Sequence, residues 1–268
     1  MMILRCVPQF VDEIWGDEDF GKFYGVGGKL GEVWLCSGHP ERMTRVFDQN
    51  DLEGNWNEIK ERWEVERFPF LIKHIKTREW LSVQVHPDDA YAEKNGEPWG
   101  KPEMWYFIKG GRLVNGLVSG ALERLKNGDR DWNSLLSFID VKAGQAMYIE
   151  PGTVHAIGPK IELYEFQMTS DITYRFYDWG RGRETHFDQA MEVVKETVAK
   201  PFDLSEFNCS HFKVKRLNGL PSFLDRRSVY LASRSSFNGK YFEKPTAYIS
   251  TDGGKLACEG EIFEMQMP

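Results

Sequence analysis

The sequence predicts a mainly β protein with a few short helices, folded as an antiparallel sandwich or barrel. Apolar runs are short, such as Met104–Ile108 and Ala146–Ile149, and Gly or Pro turns separate them about every ten residues. Leu81, Val83 and Val85 alternate with polar residues, which is the period-two pattern of a half-buried strand. Helical periodicity is limited to short segments, so an alternating βαβ fold is not favoured.

The first two thirds of the chain are predicted to be mostly strands. Residues 1–40 show short strand-like pieces and no long helical period. Trp56, Ile59 and Trp63 share one face of a helix predicted over Asn55–Val65. A helical turn follows over Asp88–Lys94, and a short polar helix falls within Val114–Asp131. The predicted strands cover Phe68–Ile72, Leu81–Val85, Met104–Ile108, Phe138–Val141, Ala146–Ile149, Val154–Ile157 and Ile161–Met168.

A second amphipathic helix suggests a boundary between two β units. Its apolar positions run from Phe187 to Val198, Thr185 is the predicted cap, and Pro201 ends it. Short strands with Gly turns follow to the end of the sequence. We therefore expect an N-terminal catalytic barrel over residues 1–185, a linking helix over 186–200, and a short C-terminal β unit or reduced second barrel over 201–268.

Composition narrows the classes of function. The 268 residues carry 34 basic and 41 acidic side chains, a net charge of −7, which argues against a nucleic-acid partner. No apolar run approaches the ~20 residues of a membrane span, and the first residues lack the features of a signal peptide. The four cysteines form no CxxC pair, which is typical of free thiols in a reducing cytoplasm. We expect a cytoplasmic protein without a membrane partner.

The strand LSVQVHPDD carries a ladder of polar side chains. Ser82, Gln84 and His86 project from the face opposite the apolar residues, because side chains at i and i+2 share a face. One explanation is a solvent-facing edge strand. The other is one half of a metal site, and Gln-x-His-Pro by itself is weak evidence for it.

Two further positions could complete such a site. Glu103 stands where a strand begins, and His155 follows a tight Pro151–Gly152 turn. Two histidines and a carboxylate with an open position form a first-row metal site of catalytic type, which a small barrel can assemble from several strands. An amide oxygen from Gln84 would be a weaker fourth ligand. Taken alone, Glu103 would be read as a solvated or salt-bridged carboxylate.

Four segments together resemble one family. LSVQVHPDDAYA, GKPEMWYFI, EPGTVHAIGP and SDITYRFYDWGR are similar to type I phosphomannose isomerases of the cupin superfamily. The resemblance covers about residues 68–200 and extends weakly to Ile14–Gly16 and Gly31–Trp34. It implies cupin-type jelly-roll barrels and one zinc ion. The family's reaction interconverts mannose 6-phosphate and fructose 6-phosphate, so the resemblance implies a sugar phosphate substrate.

The resemblance also implies roles for individual residues. The zinc ligands fall on Gln84, His86, Glu103 and His155, and the active-site arginine falls on Arg175. The positions that line the substrate pocket are Ser82, Lys101, Glu165 and Asp171.

The chemistry of an aldose–ketose isomerase agrees with these residue types. The reaction needs an electrophile, a positioned acid or base, and cations for the phosphate. Lys101 and Arg175 are the candidate cations, although a single Lys or Arg is more often ordinary surface charge. Glu165 and Asp171 are the candidate acid/base groups, and either could instead orient a metal ligand. Arg181 and Arg183 could reach a phosphate or be solvated.

Two other classes of function stay open at this point. A cupin protein could bind a sugar for regulation without turnover, and another cupin metalloenzyme, such as an iron or manganese oxygenase, could use the same ligands. We expect a monomer or a homodimer.

Overall fold

The computed structural model describes residues 2–219 and 224–268. Strands dominate it, and the helices are short. The strands are β1 Ile3–Val7, β2 Gln9–Asp17, β3 Leu30–Ser37, β4 Arg45–Phe47, β5 Phe70–Lys76, β6 Val83–Val85, β7 Glu103–Lys109, β8 Gly111–Leu117, β9 Leu136–Val141, β10 Gln145–Ile149, β11 His155–Ala156, β12 Glu162–Met168, β13 Tyr174–Tyr177, β14 Pro201–Asp203, β15 Glu206–Asn208, β16 Lys213–Leu217, β17 Ser228–Phe237, β18 Lys240–Phe242, β19 Thr246–Ser250 and β20 Ala257–Gln266. The helices are α1 Glu18–Tyr24, α2 Trp56–Trp63, α3 Asp89–Lys94, α4 Ala121–Lys126, α5 Trp132–Leu135 and α6 Phe187–Val193.

The chain forms two compact units, and each draws on separate stretches of sequence. The first unit contains Met1–Val11, Glu32–His74 and Leu204–Pro268, and the second contains Asp12–Gly31 and Ile75–Asp203. Strands β2, β3 and β5 each contribute residues to both units. The sequence led us to expect domain boundaries at residues 185 and 200, and these boundaries stay a prediction.

The first unit is built on one antiparallel sheet of eight strands. Its order is β15-β16-β20-β17-β19-β1-β4, and β18 pairs with β17. Strand β17 is the centre of this sheet, since it pairs with β18, β19 and β20. Tyr230 and Tyr248 are both fully buried in its hydrophobic core.

The second unit contains two antiparallel layers. Five strands pair in the order β13-β6-β11-β8-β9, and four pair in the order β14-β10-β7-β12. One apolar cluster includes Val83 and Val85 from the first layer, and a second includes Trp105 and Met147 from the other. The candidate site residues all fall within the Ile75–Asp203 stretch, on these strands or on the loops beside them, so the second unit is the catalytic candidate.

The starts of α2 and α3 lie within one residue of those that the sequence predicts. Asn55 caps α2 by accepting the Asn57 backbone N–H at 2.8 Å. Asp88 caps α3 and accepts the Tyr91 backbone N–H at 3.2 Å. Helix α1 was missed, because its seven residues are too few for a clear helical period.

Helix α6 corrects the sequence prediction at both ends. Its cap position is His186, not Thr185, and the helix ends at Val193. Val194 is already extended, and the Lys195 N–H donates to the Gly152 carbonyl at 2.8 Å, so the chain leaves the helix to pair elsewhere. Val198, expected on the apolar face, is 55 % exposed.

No helix within residues 2–219 and 224–268 has the length and apolar character needed to cross a membrane.

Candidate metal centre and active site

The polar ladder on β6 lies in the interior. β6 pairs with β11 on one side and β13 on the other, so it is not an edge strand. Ser82 is 3 % exposed and His86 is 1 % exposed, while Val83 and Val85 are buried on the opposite face. The solvent-facing alternative for this ladder is therefore wrong.

Strand register aligns four polar residues across the five-stranded layer. Gln84 is directly opposite Arg175 on β13 and His155 on β11, and His155 is opposite Asn115 on β8. Residues directly opposite each other in antiparallel strands project to the same face. The predicted ligands Gln84 and His155 thus become neighbours, with 3.3 Å between Gln84 Nε2 and His155 Nε2.

Glu103 reaches the same point from the other layer. It is the first residue of β7, and its Oε1 lies 3.1 Å from His86 Nε2. Its Oε2 lies 3.8 Å from His155 Nε2. The three potential ligand atoms of His86, Glu103 and His155 all lie within 4.8 Å of one another, and all three residues are buried.

Backbone carbonyls orient both imidazoles. His86 Nδ1 is 2.9 Å from the Ile172 carbonyl, and His155 Nδ1 is 2.9 Å from the Thr153 carbonyl. A carbonyl can only accept, so in each ring Nδ1 carries the proton and donates. The Nε2 lone pairs are left facing Glu103, which is the tautomer a metal ligand needs.

The charge states also suit a metal. Burial, reinforced by the Lys101 ammonium, lowers the pKa of His86. Burial and the neighbouring His86 ring lower the pKa of His155 to about 3. Burial alone would raise the pKa of Glu103, but Lys101 and the two histidines outweigh it and hold that pKa well below its usual range. At neutral pH the cluster is therefore two neutral imidazoles and a carboxylate.

The acceptor atoms of this cluster are arranged as a bound cation would require. His86 Nε2 is buried without a hydrogen bond and faces Glu103 Oε1 at 3.1 Å, although the Lys101 ammonium also lies 3.2 Å from that oxygen. Two acceptors without a donor between them are costly in a protein interior. Imidazole nitrogens with a carboxylate oxygen match the ligand chemistry of zinc, so the residues present fit the ion that the family resemblance implies.

Lys101 and Glu165 both connect to Glu103. Lys101 is 4 % exposed, its Nζ lies 3.2 Å from Glu103 Oε1, and the ordinary-surface-charge alternative is thereby excluded for it. Glu165 is 3 % exposed. Trp105 Nε1 lies 3.1 Å from Glu103 Oε2 and 3.0 Å from Glu165 Oε2, so its N–H is shared between the two carboxylates.

Arg175 and Asp171 occupy more open positions. Arg175 is partly buried, and its Nη1 donates to the Glu184 carbonyl at 2.6 Å. Burial and the nearby Arg183 guanidinium lower the pKa of Arg175. Asp171 is exposed and lies in the irregular segment between β12 and β13. The structure therefore groups Glu165, but not Asp171, with the buried cluster.

The two loop arginines are held in one ionic cluster. Arg181 Nη2 lies 2.6 Å from Asp178 Oδ1, and Arg183 Nη2 lies 2.7 Å from the same oxygen. Arg183 Nη1 also lies 3.5 Å from Glu13 Oε2. Their side chains are 18 % and 25 % exposed, so neither is a freely solvated charge.

Sequence reasoning missed Trp105 and Gln167. Gln167 is fully buried and lies directly opposite Glu103 in the β7–β12 pair, and Trp105 lies opposite Glu165. The available signal was period-two alternation, because each follows a candidate carboxylate by two residues and so shares its face.

Comparison with known proteins identifies the family. Residues 26–105 match the family described as phosphomannose isomerase type I, catalytic domain. The mannose-6-phosphate isomerase of Streptococcus mutans is 36 % identical over 214 residues, which are 72 % of this chain and 67 % of that protein. Mannose-6-phosphate isomerase ManA of Bacillus subtilis is 31 % identical over 298 residues, covering 97 % of this chain and 94 % of the relative.

Solved structures show the same fold. The mannose 6-phosphate isomerase of Bacillus subtilis superposes with a TM-score of 0.79 at 24 % identity, covering 100 % of both chains. A zinc-bound mannose 6-phosphate isomerase superposes with a TM-score of 0.69 at 14 % identity, over 99 % of both chains. The predicted fold class, mainly β and of cupin type, is confirmed. From its motifs, its fold and its relatives, the chain belongs to the type I phosphomannose isomerase family.

Proposed function

We propose that this chain is a zinc-dependent isomerase that interconverts mannose 6-phosphate and fructose 6-phosphate. The observation that carries the proposal is the convergence of His86, Glu103 and His155, whose ligand atoms lie within 4.8 Å of one another in a buried site. Family membership supports this reaction. Two relatives that align with 72 % and 97 % of the chain are named mannose-6-phosphate isomerase.

One zinc ion would be held by Gln84, His86, Glu103 and His155. The unbonded His86 Nε2, which faces Glu103 Oε1, and the neutral state of both imidazoles support the two histidines and the carboxylate as ligands. When bound, the ion supplies Lewis acidity and a template for sugar oxygens.

Glu165 is the first candidate for the proton-transfer group. By the enediol route, a proton leaves C2 of the open-chain aldose and one returns to C1, while the C2 hydroxyl loses its proton and the C1 oxygen gains one. One carboxylate on one face of the sugar can serve both carbon steps. Glu165 is buried and accepts the Trp105 N–H, which holds its carboxylate in one orientation. Asp171 is the second candidate, and its exposure suits a role at the mouth of the site.

Lys101, Arg175 and Ser82 bind and orient the substrate in this proposal. The Lys101 ammonium is buried beside Glu103, where it can donate to a sugar oxygen and stabilise negative charge that develops there. Arg175 is more open and offers a planar guanidinium suited to phosphate. Ser82 shares the face of Gln84 and can hydrogen-bond a sugar hydroxyl.

We propose a cytoplasmic enzyme of carbohydrate metabolism that acts on a small sugar phosphate, without a nucleic-acid partner, as a monomer or a homodimer. Light scattering on the purified protein decides between the two oligomeric states.

The deciding experiment combines metal content with turnover. Zinc-loaded protein is expected to convert mannose 6-phosphate to fructose 6-phosphate, and the metal-free protein is expected to lose this activity. Sugar phosphate binding without turnover would indicate a regulatory binding protein instead. Bound iron together with oxygen consumption would indicate an oxygenase.

A further inference from the structure

Gln167 is a buried amide beside the candidate metal centre. It lies on β12 directly opposite Glu103 of β7, and both residues are at most 1 % exposed. Directly opposed residues in an antiparallel pair share a face, so Gln167 projects to the same side of the layer as Glu103.

The amide nitrogen of Gln167 organises the turn that follows β12. Gln167 Nε2 donates to the Met168 carbonyl and to the Ser170 carbonyl, each at 2.9 Å. The Ser170 N–H also donates to the Met168 carbonyl at 2.8 Å. Both acceptors are carbonyls, so the NH2 group must face the turn and the amide oxygen must face away from it. That oxygen is buried without a hydrogen bond.

This turn leads to the atoms that orient the metal centre. Residues 169–173 have no regular secondary structure, so strand pairing does not fix their position. Within this segment the Ile172 carbonyl accepts from His86 Nδ1 at 2.9 Å. Thr173 Oγ1 accepts from Lys101 Nζ at 3.4 Å. One buried side chain therefore anchors a segment that sets both the tautomer of His86 and the direction of Lys101.

We propose that Gln167 is a positioning residue of the metal centre. Its NH2 group holds the 168–170 turn, the turn presents the Ile172 carbonyl, and that carbonyl keeps the His86 Nε2 lone pair available for the metal. The inference rests on the proposed metal centre and adds a residue that acts through another residue rather than on the substrate.

The test is zinc affinity, measured by competition with a chromophoric chelator. Gln167→Met fills the same volume without the two donors, and Gln167→Glu keeps the shape but sets an acceptor against two carbonyls. Partners that orient metal ligands affect affinity by about 10- to 100-fold, so we expect each variant to bind zinc more weakly by that factor. Excess zinc should restore turnover of Gln167→Met, because its defect passes through the metal.

Gln145→Met is the matched control. Gln145 also supports a turn with its amide, since its Oε1 accepts the Lys142 N–H at 2.8 Å, but it lies on β10 away from the cluster. Its zinc affinity should stay within about twofold of wild type. A folded Gln167 variant that also stays within about twofold would overturn the proposal.

A measurement on the unaltered protein covers the case in which neither Gln167 variant folds. Added zinc should slow hydrogen–deuterium exchange at backbone amides 169–173, since ligation of His86 strengthens its bond to Ile172. Unchanged exchange at these amides in zinc-bound protein would overturn the role of Gln167 and leave the proposed metal centre intact. Wild-type protein that binds no zinc would overturn the metal centre itself, so the two failures are distinguishable.

Discussion

Gln84 Nε2 lies 3.3 Å from His155 Nε2, across a direct strand pair between β6 and β11. His155 Nδ1 donates to a backbone carbonyl, so its Nε2 accepts and the Gln84 amide nitrogen donates. To bind a metal, Gln84 would have to use its amide oxygen. Its amide group must therefore turn over, so that the oxygen takes the place of the nitrogen. Metal binding by Gln84 therefore requires a rotation of its side chain. His86 and His155 need no such change, because both are already in the tautomer that a metal ligand needs.

Gln84→Leu should weaken zinc binding without abolishing it. Two imidazoles and a carboxylate remain in place, and an amide oxygen is the weakest of the four donors. We expect an affinity loss of about tenfold or more, measured by chelator competition. A variant that purifies with no metal at saturating zinc would show that Gln84 is indispensable.

His155→Ala should remove both metal and activity while the fold survives. His155 is fully buried, so truncation leaves a cavity and costs stability, which we expect to be about 1–3 kcal/mol. Zinc content by atomic absorption and circular dichroism of the same sample check the two parts. Global unfolding of the variant would make the site structural rather than catalytic.

Glu165→Gln should separate proton transfer from metal binding. The amide keeps the size of the side chain and can still accept from Trp105 Nε1, so zinc content should be unchanged. Loss of a general acid/base group is expected to lower kcat by about 10²- to 10⁴-fold, with a smaller effect on KM.

Glu162→Gln is the control on the same strand, where Glu162 Oε2 lies 3.6 Å from Lys76 Nζ. Its kcat should match that of wild type. If Glu165→Gln also retains full kcat, the proton-transfer role passes to Asp171, and Asp171→Asn should then be the inactive variant.

Arg175→Ala should reduce turnover while zinc stays bound. Its guanidinium contacts the Glu184 carbonyl and none of the proposed metal ligands in the described contacts, so it can be removed without opening the cluster. We expect a loss in kcat/KM of about 100-fold or more, because one charged donor to the substrate disappears. Arg175→Lys should recover part of it. Loss of zinc from Arg175→Ala would assign Arg175 to the metal centre instead.

Asp178→Asn should remove a pH-dependent part of the stability. Burial alone would raise the pKa of Asp178, but hydrogen bonds and charge from Arg183 and Arg181 outweigh it and lower that pKa below its usual 3.8. A folded pKa below the unfolded one stabilises the protein above about pH 4, and this contribution is lost as the pH falls through the folded value.

Urea unfolding of wild type and Asp178→Asn measures this contribution. The difference in unfolding free energy should be about 1.5–3 kcal/mol at about pH 7. It should shrink when both proteins are unfolded at about pH 3. An equal difference at both pH values would show that the carboxylate charge does not matter.

Much of the fold was predictable because its signals are local. Alternation over Leu81–Val85 depends only on the two-residue period of a strand, and Asn55 and Asp88 cap helices through bonds to residues close in sequence. The end of α6 was not predictable in this way. The helix ends at Val193, and the backbone N–H of Lys195 donates to the Gly152 carbonyl. This contact depends on how strands distant in sequence are arranged.

By itself, the sequence determined which residues share a strand face, and so placed Ser82, Gln84 and His86 on one ladder. Their motifs also indicated the family. Only the tertiary structure decided that this ladder is buried and that Glu103 lies 3.1 Å from His86. It alone brought Gln167 opposite Glu103. The physical reason is that strand register and layer packing join residues far apart in sequence, and no local periodicity encodes those distances.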